Sequence, residues 1–331
     1  MKKVLTLLLS SLFIFVACSQ QEQKEVKTEK TEDKQTVNTD NKTKPQAPLL
    51  EKTVLTKEEE RIILHKGTER AFTGKYDKFY EDGLYVCKNC NAALYRSNTK
   101  FNSKCGWPSF DDNISDAVKR LPDADGLRTE IVCNKCDGHL GHVFLNEGFT
   151  DKNTRHCVNS LSMKFIPREK YGKAIFANGC FWGTEYFFLK AKGVISTSCG
   201  YIGGHVKNPT YKAVCNGTTG HAEAVEVIFD KSQTDFETLC KLFFETHDPS
   251  QVNRQGPDIG TQYRTEIFYV NEEQKTISAK LIKELEATGI KVATKVTKAP
   301  IFYDAEDYHQ EYYKKKNGIP YCHKFEKKFL R

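Results

Sequence analysis

Cysteine is the residue through which this chain could do chemistry, and its 12 cysteines stand in very different surroundings. Cys180 lies in Asn178-Gly179-Cys180-Phe181-Trp182-Gly183-Thr184-Glu185. Before it, Lys173 to Ala177 alternates and ends apolar, which predicts a strand. After it, Phe181, Glu185, Phe188 and Leu189 recur at helical spacing. The cysteine is thus expected on a tight strand-to-helix turn, at a helix N-terminus. The dipole and free N–H groups there favour the thiolate, the nucleophilic form. Phe181 and Trp182 could wall a small apolar pocket. The alternative is a buried cysteine in an aromatic core.

Two C-x-x-C pairs, Cys87-Lys88-Asn89-Cys90 and Cys133-Asn134-Lys135-Cys136, each follow a predicted strand. Four thiolates turned toward one point suit tetrahedral zinc and leave no open position for substrate. A pair of redox dithiols is the competing reading. Arg155-His156-Cys157-Val158-Asn159 does not fit a metal site; there a cation would stabilise a thiolate and an amide could orient a neighbour. Upstream lie Cys105-Gly106-Trp107-Pro108-Ser109-Phe110 and, in Gly138-His139-Leu140-Gly141-His142-Val143-Phe144, two histidines. Those histidines could be ligands, but two C-x-x-C pairs already saturate one zinc.

Residues 171–331 resemble the A-type peptide methionine sulfoxide reductases. The likeness rests on Gly179 to Trp182 with Glu185, then Gly200-Tyr201, Gly203-Gly204, Pro209-Thr210-Tyr211, Gly220-His221-Ala222-Glu223-Ala224, His247-Asp248-Pro249 and Gly260-Thr261-Gln262-Tyr263-Arg264. The resemblance implies Cys180 as nucleophile, Glu223 as proton donor, and Tyr211, Tyr263 and Asp258 around the sulfoxide oxygen. Phe181 and Trp182 would hold the methyl group. A carboxylate facing that aromatic site would have a raised pKa. Cys322 follows Gly318-Ile319-Pro320-Tyr321 in a polar tail, a place from which a resolving thiol could reach. Family members often carry a glycine-rich tail there; this chain has His323-Lys324-Phe325-Glu326. Cys199 and Cys215 precede turns and could be partly exposed, and Cys240 lies on an apolar helical stripe.

The segment from Leu55 to about Arg168 resembles the B-type methionine sulfoxide reductases, through the two C-x-x-C pairs, Lys100-Phe101, the Cys105 motif, Gly138 to Phe144 and Arg155 to Asn159. By that resemblance Cys157 is the nucleophile and Cys105 the resolving thiol. Trp107 would hold the substrate methyl group, with His139, His142 and Asn159 around the oxygen. Zinc would be structural, one per chain, on Cys87, Cys90, Cys133 and Cys136. His156 stands where the family often has an aromatic. Together the two resemblances imply reduction of both sulfoxide epimers, since one enzyme serves each. They also imply a thioredoxin-like dithiol as reductant, and free methionine sulfoxide or oxidised proteins as substrate.

These residues need elements to position them. Thr56 with Glu59 predicts a capped helix over Lys57 to His65. Tyr80 to Val86, Ala92 to Tyr95, Ala117 to Leu121, Leu127 to Val132 and Met163 to Ile166 predict short strands of a mainly antiparallel β domain, assigned to 49–168. Beyond it, strands at Val194 to Ser198, Ala222 to Phe229, Tyr263 to Val270 and Val292 to Val296 interleave with helices at Phe236 to Phe244 and Glu272 to Thr288. That predicts an α+β sandwich over 171–331, on one mixed or antiparallel sheet.

At the N-terminus, Met1-Lys2-Lys3 and the apolar run Val4 to Ala17 predict a signal peptide over 1–17. Phe15-Val16-Ala17-Cys18 resembles a bacterial lipobox, so lipid on Cys18 would tether an exported enzyme to a membrane of the cell envelope; a plain secretory signal or an uncleaved anchor are the alternatives. Residues 18–48 read as a disordered stalk: from 19 to 48 there is no aromatic residue, and six lysines balance six acidic residues. The net charge of +7 is spread along the chain, which disfavours nucleic-acid binding. A zinc-ribbon-like binding module with a degenerate second half would show broken nucleophile motifs, and both are intact.

Overall fold

A computed structural model describes residues 53–329 of the chain. The expected signal peptide, the lipidation site Cys18 and the whole stalk lie outside the described residues. Among the described residues no helix is long and apolar enough to cross a membrane.

The capping box opens the structure. Thr56 Oγ1 accepts from the Glu59 N–H at 3.3 Å, and the Glu59 carboxylate accepts from the Thr56 N–H at 2.8 Å. Two otherwise unpaired donors are thereby satisfied, and helix α1 (Lys57–Ile63) buries Ile62 and Ile63. Nine strands follow: β1 (Gly83–Cys87), β2 (Ala93–Arg96), β3 (Lys100–Phe101), β4 (Ser109–Phe110), β5 (Val118–Pro122), β6 (Thr129–Cys133), β7 (His139–Leu145), β8 (Thr154–Val158) and β9 (Met163–Pro167). They form a three-stranded sheet, β2-β1-β9, and a six-stranded sheet, β3-β4-β8-β7-β6-β5. Every pairing in both is antiparallel. Between the sheets Tyr85, Tyr95 and Phe110 are fully buried, with Phe110 stacked on Tyr95 at 4.3 Å.

The sequence pattern missed β7 and β8, the two strands that carry His139, His142 and Cys157. Glycine and polar residues dilute their alternation, and a bulge breaks it. Ile131 pairs with Gly141 but Val132 pairs with His139. The extra residue puts His139 on the same face as His142, their rings 5.7 Å apart, where strict alternation would put them on opposite faces.

The second half holds β10 (Tyr171–Asn178), α2 (Phe181–Phe188), β11 (Val194–Ile202), α3 (Tyr211–Cys215), β12 (Ala222–Asp230) and α4 (Phe236–Glu245). A small hairpin, β13 (Arg254–Gln255) and β14 (Asp258–Ile259), precedes β15 (Thr265–Tyr269), α5 (Glu272–Ala287), β16 (Lys295–Lys298), β17 (Tyr303–Asp304) and α6 (Tyr312–Lys315). Six strands make one sheet, β16-β15-β10-β12-β11-β17, mixed only through the parallel pair β15 and β16. Phe176 on β10 stacks on Phe188 of α2 at 5.0 Å and on Phe243 of α4 at 5.2 Å, so helices cover that face.

Strand β12 serves two purposes through its period of two. Glu223, Val225, Val227 and Phe229 share one face; the last three belong to the core beneath the helices. Glu226 and Ile228 point the other way, toward the first half. There Ile228 and Tyr171 pack with Leu84, Val86, Ala93 and Ile114. The Glu226 carboxylate is buried and pairs with the Arg96 guanidinium, and with Lys173 at 3.3 Å. Arg96 holds the Glu226 carboxyl below its ordinary range despite the burial that opposes ionisation. The Ser115 hydroxyl donates to Asp307 at 3.0 Å and Lys315 pairs with Asp116 at 2.9 Å, so the two halves are also tied at their rim.

Arg96→Met should therefore cost about 2 kcal/mol of stability, because it leaves a buried carboxylate short of its main counter-ion. Adding Glu226→Leu should recover most of the loss. Thermal unfolding of the single and double variants checks this; equal loss in both would reject the ion pair as the cause.

Candidate active sites

Two pairs of sulfurs dominate the described residues, one in each half, with a separate cluster of four. That cluster comes from two turns of the same conformation. The Asn91 N–H donates to Cys87 O and the Asp137 N–H to Cys133 O, both at 2.9 Å. Asn91 and Asp137 both take left-handed φ, 58° and 55°. Each turn thus aims its cysteines the same way. Cys87 and Cys136 lie 3.7 Å apart, Cys90 and Cys133 3.6 Å, and all four sulfurs lie within 4.8 Å of one another. A tetrahedral ion with Zn–S bonds of about 2.3 Å needs sulfurs about 3.8 Å apart, so the four residues fit zinc.

In the first half, Cys157 on β8 faces His142 across the ladder. Phe144 and Arg155 are the next pair on that face, the guanidinium 4.3 Å above the Phe144 ring. Gly141 allows the approach: its φ is +153°, and a Cβ there would sit 2.0 Å from the Cys157 carbonyl oxygen. The sulfur of Cys105, 52 residues earlier, lies 3.8 Å from that of Cys157. The Ser103 hydroxyl donates to Cys105 Sγ at 2.9 Å and exchanges a 2.7 Å hydrogen bond with Ser109.

The hydrogen bond between the two sulfurs separates them in acidity, Cys105 lowered and Cys157 raised. The hydrogen bond from Cys157 is the first cause; with Ser103 and Ser109 it holds the Cys105 thiol down at about 4. Cys157 is pushed far up, by donating to Cys105 and by burial. Arg155 pulls the other way but is also held by Glu147 through two hydrogen bonds of 2.7 and 2.9 Å, which weakens its hold on Cys157.

The other predicted residues gather nearby in distinct states. Trp107 is half-buried, its indole N–H donating to Glu69 O at 2.9 Å. His139 is buried, with Nδ1 2.7 Å from Glu130 and Nε2 without a partner. Burial pushes its pKa down. His142 Nε2 meets the Asp123 carboxylate. Asn159 has both ends of its amide engaged: Oδ1 accepts from Glu69 N–H at 2.9 Å and Nδ2 donates to Leu140 O at 3.1 Å. His156 faces the core against the Tyr95 hydroxyl at 3.1 Å. Glu69, Ser103, Ser109, Glu130 and Asp123 had no signal of their own, because each acts through a fold contact and not through spacing.

In the second half Cys180 is the N-cap of α2, following Gly179, whose φ of +105° makes the sharp turn. Cys180 is 6% exposed and Cys322, from the tail, 9%. Their sulfurs and an oxygen of Asp258 lie within 4.8 Å of one another. The tail is fixed there by His323: its Nε2 donates to Asn178 O at 2.8 Å, and its Nδ1 lies 3.1 Å from Cys322 Sγ.

Here too the second thiol is lowered and the first raised. The hydrogen bond from Cys180 and then His323 hold Cys322 down at about 5. Cys180 is pushed well up by its bond to Cys322, by burial and by Glu223; only the α2 N–H groups oppose this. The α2 N–H at Trp182 favours the thiolate, as the sequence pattern led one to expect, but the bond to Cys322 and burial outweigh it.

Burial pushes Glu223 up to about 8, although its Oε2 accepts from the Phe181 N–H at 3.1 Å. Burial pushes the Tyr211 and Tyr263 hydroxyls up, and Glu223 is the next cause for both, so the three lie together. Asp258, up at about 6 through burial, accepts from the Tyr321 hydroxyl at 2.9 Å. Phe181 is fully buried against Tyr201, Tyr211 and His309. Trp182 stacks on Tyr312 at 3.7 Å, and its indole N–H donates to His309 Nδ1 at 3.0 Å. His309 and Tyr312 thus fix the aromatic wall; no motif spacing pointed to either. Glu185 turns elsewhere, toward the Thr197 hydroxyl and the Glu311 N–H. Cys199, which the sequence allowed to be partly exposed, is fully buried on β11 behind Phe181, because the strand runs on past it to Ile202.

Each half can therefore present one thiol to an electrophilic sulfur and a second thiol to whatever the first becomes. Residues 55–167 match the SelR domain and residues 172–330 match the family of peptide methionine sulfoxide reductases. Over 150 residues the chain is 51% identical to peptide methionine sulfoxide reductase MsrA of Saccharolobus solfataricus, a match covering 45% of this chain and 85% of that protein. MsrA of Methanosarcina acetivorans is 50% identical over 156 residues, 46% of this chain and 83% of that one. Among solved structures, reduced Mxr1 from Saccharomyces cerevisiae is 34% identical with a TM-score of 0.46, covering 48% of this chain and 94% of that one. The chain belongs to the peptide methionine sulfoxide reductases, a fusion whose SelR, or B-type, domain reduces the R epimer of methionine sulfoxide and whose A-type domain reduces the S epimer.

Proposed function

We propose that both domains work by one thiol relay, and the pairing of two buried thiols at each site carries that reading. In the second domain the sulfoxide methyl group sits against Phe181 and Trp182, its oxygen toward Glu223, Tyr211 and Tyr263. Cys180 passes its proton to the Cys322 thiolate, and the Cys180 thiolate attacks the sulfoxide sulfur. Glu223 gives its proton to the oxygen as the sulfur–oxygen bond weakens, since an oxyanion is a poor leaving group. The hydroxyl passes from the substrate sulfur to the Cys180 sulfur as the bond between the two sulfurs breaks, so methionine departs and Cys180 is left as a sulfenic acid. Cys322 then attacks that sulfur; the disulfide forms and the hydroxyl leaves as water with one proton. A thioredoxin-like dithiol returns the two electrons by exchange.

In the first domain Cys157 attacks after its proton crosses to Cys105, and Cys105 closes the disulfide. Trp107 holds the methyl group. His139 and His142 border the oxygen, and Asn159 shapes the site by bracing Glu69 and Leu140. Zinc on Cys87, Cys90, Cys133 and Cys136 is structural: four thiolates fill its coordination and leave no place for substrate. The substrates are free methionine sulfoxide and oxidised exported proteins. Lipid on Cys18 would keep the enzyme at the cell envelope, which fatty-acid labelling of a Cys18→Ala variant tests.

Cys157→Ser should abolish turnover of the R epimer and spare the S epimer, and Cys180→Ser should do the converse. Cys322→Ser should keep one burst on the S epimer yet lose thioredoxin-driven cycling. Assays on the separated epimers decide this, and loss of both activities from either nucleophile change would refute independent sites.

Glu223 sets a pH dependence. Its pKa is raised to about 8, so the donor is protonated below that pH and lost above it. The rate on the S epimer should fall as pH rises through about 8. Glu223→Gln should lower kcat by about a hundredfold and remove that alkaline limb. A variant with the parent's pH profile would remove Glu223 from the chemistry.

Purified protein should hold about one zinc per chain. Cys90→Ser should lose the metal and unfold the first domain, because metal-binding energy there is folding energy. Metal analysis with circular dichroism tests this; a metal-free protein of unchanged stability contradicts it.

A further inference from the structure

The imidazole of His323 is buried at the second site, 5% exposed, and its two nitrogens have different partners. Nε2 lies 2.8 Å from the Asn178 carbonyl oxygen, and Nδ1 lies 3.1 Å from Cys322 Sγ. A carbonyl oxygen only accepts, so Nε2 must carry a hydrogen. In the neutral ring Nδ1 then keeps a free lone pair, and its neighbour is the thiol.

The ring is seated by the turn that carries Cys180. A Cβ on Gly183 would lie 2.2 Å from Nδ1, and one on Gly179 3.3 Å from Cε1, so two glycines of the cysteine motif make room for the imidazole. The chain beyond it is also tied down. The Glu326 N–H donates to the Glu245 carbonyl oxygen at 2.7 Å, and Lys328 Nζ donates to the His247 carbonyl oxygen at 3.2 Å. Phe329 is buried beside the Phe244 ring. The ring is therefore held in one place, with one nitrogen fixed as a donor and the other left to the sulfur. Cys105, by contrast, has the hydroxyls of Ser103 and Ser109 beside it, and a hydroxyl is no base near neutral pH.

We infer that His323 is a catalytic residue of the second domain, the base that frees Cys322 to close the disulfide. The inference rests on Cys322 being the resolving thiol. When Cys180 attacks the sulfoxide its proton has crossed to Cys322, so Cys322 meets the sulfenic acid as a thiol. The thiolate, not the thiol, is the nucleophile. His323 Nδ1 takes that proton. The Cys322 sulfur attacks the Cys180 sulfur, the sulfur–sulfur bond forms and the sulfur–oxygen bond breaks. The proton passes from Nδ1 to the departing hydroxide, which leaves as water, and the ring is neutral again. The sulfenic sulfur is reduced and the Cys322 sulfur oxidised, so no outside electron is needed. Asp258 is the other group close to both sulfurs, but its Oδ1 already accepts from the Tyr321 hydroxyl at 2.9 Å.

The test mixes the full reduced chain with the S epimer and no reductant. Methionine release reports the first step. Dimedone, which labels a sulfenic acid, and mass spectrometry of the Cys180–Cys322 disulfide report the second. The parent should form the disulfide with little label. His323→Gln keeps an amide donor for the Asn178 carbonyl but has no base. It should still release methionine, close the disulfide about a hundredfold more slowly and accumulate label on Cys180. His323→Ala should do the same, and added imidazole should restore part of its closure rate, which a purely structural role would not allow. Circular dichroism checks that both variants are folded. Closure at the parent's rate in His323→Gln would pass the role to Asp258 or to water and overturn the inference. Loss of methionine release in both variants would also overturn it, since the ring would then only hold the site together. Cys322→Ser run in parallel separates the two ideas. If it still forms a disulfide at Cys180, the resolving role and the base both fall. If it holds the label while His323→Gln closes normally, the role of Cys322 stands and His323 is not its base.

Discussion

The constraint on which this molecule depends is that two sulfurs must lie within contact before either has reacted. A disulfide needs its Cα atoms within about 7 Å, so a relay between thiols far apart in sequence is a demand on the fold. In the first domain the register of β7, β8 and β4 answers it, bringing Cys105 to 3.8 Å from Cys157. In the second, a tail docks instead: His323 bridges to Asn178, 145 residues earlier, and so seats Cys322 beside the α2 turn.

Close pairing under burial also decides where charge rests. Two thiols in contact cannot both be ionised cheaply, and the one with the better hydrogen-bond donors keeps the charge. Cys105 has the Ser103 hydroxyl donating to it, and Cys322 has the hydrogen bond from Cys180. The unrelated halves thus share one direction of shift, the second thiol lowered and the first raised. That arrangement supplies a base for the first thiol and a ready thiolate for the sulfenic acid that follows. Glu223 differs because burial acts on it without a strong cation nearby, so it keeps its proton where a surface glutamate would not.

Strand β12 links this chemistry to the join between domains. One face of the strand holds Glu223 over the site, and the other presents Glu226 to Arg96 of the first domain. A displacement of β12 would therefore be felt on both faces, since interiors are close-packed and transmit strain.

Much of this was legible in the residues alone. Gly179 to Trp182, the C-x-x-C pairs and the Thr56 capping box are local devices, set by neighbours a few residues apart, and local spacing reports them. So are the apolar stripes that predicted α4 and α5. The strands β7 and β8 were not legible, because a bulge and their histidines hide the alternation that tertiary pairing restores. The amide contacts of Asn159, the seat of Trp182 on Tyr312 and His309, the burial of Cys199 and the charge on Cys105 and Cys322 were not legible either. Each depends on which distant residue comes within a few ångströms. The sequence by itself determined which groups could react; only tertiary structure decided which thiol each is paired with and which way their acidities shift, because burial and hydrogen bonds from remote segments set that balance.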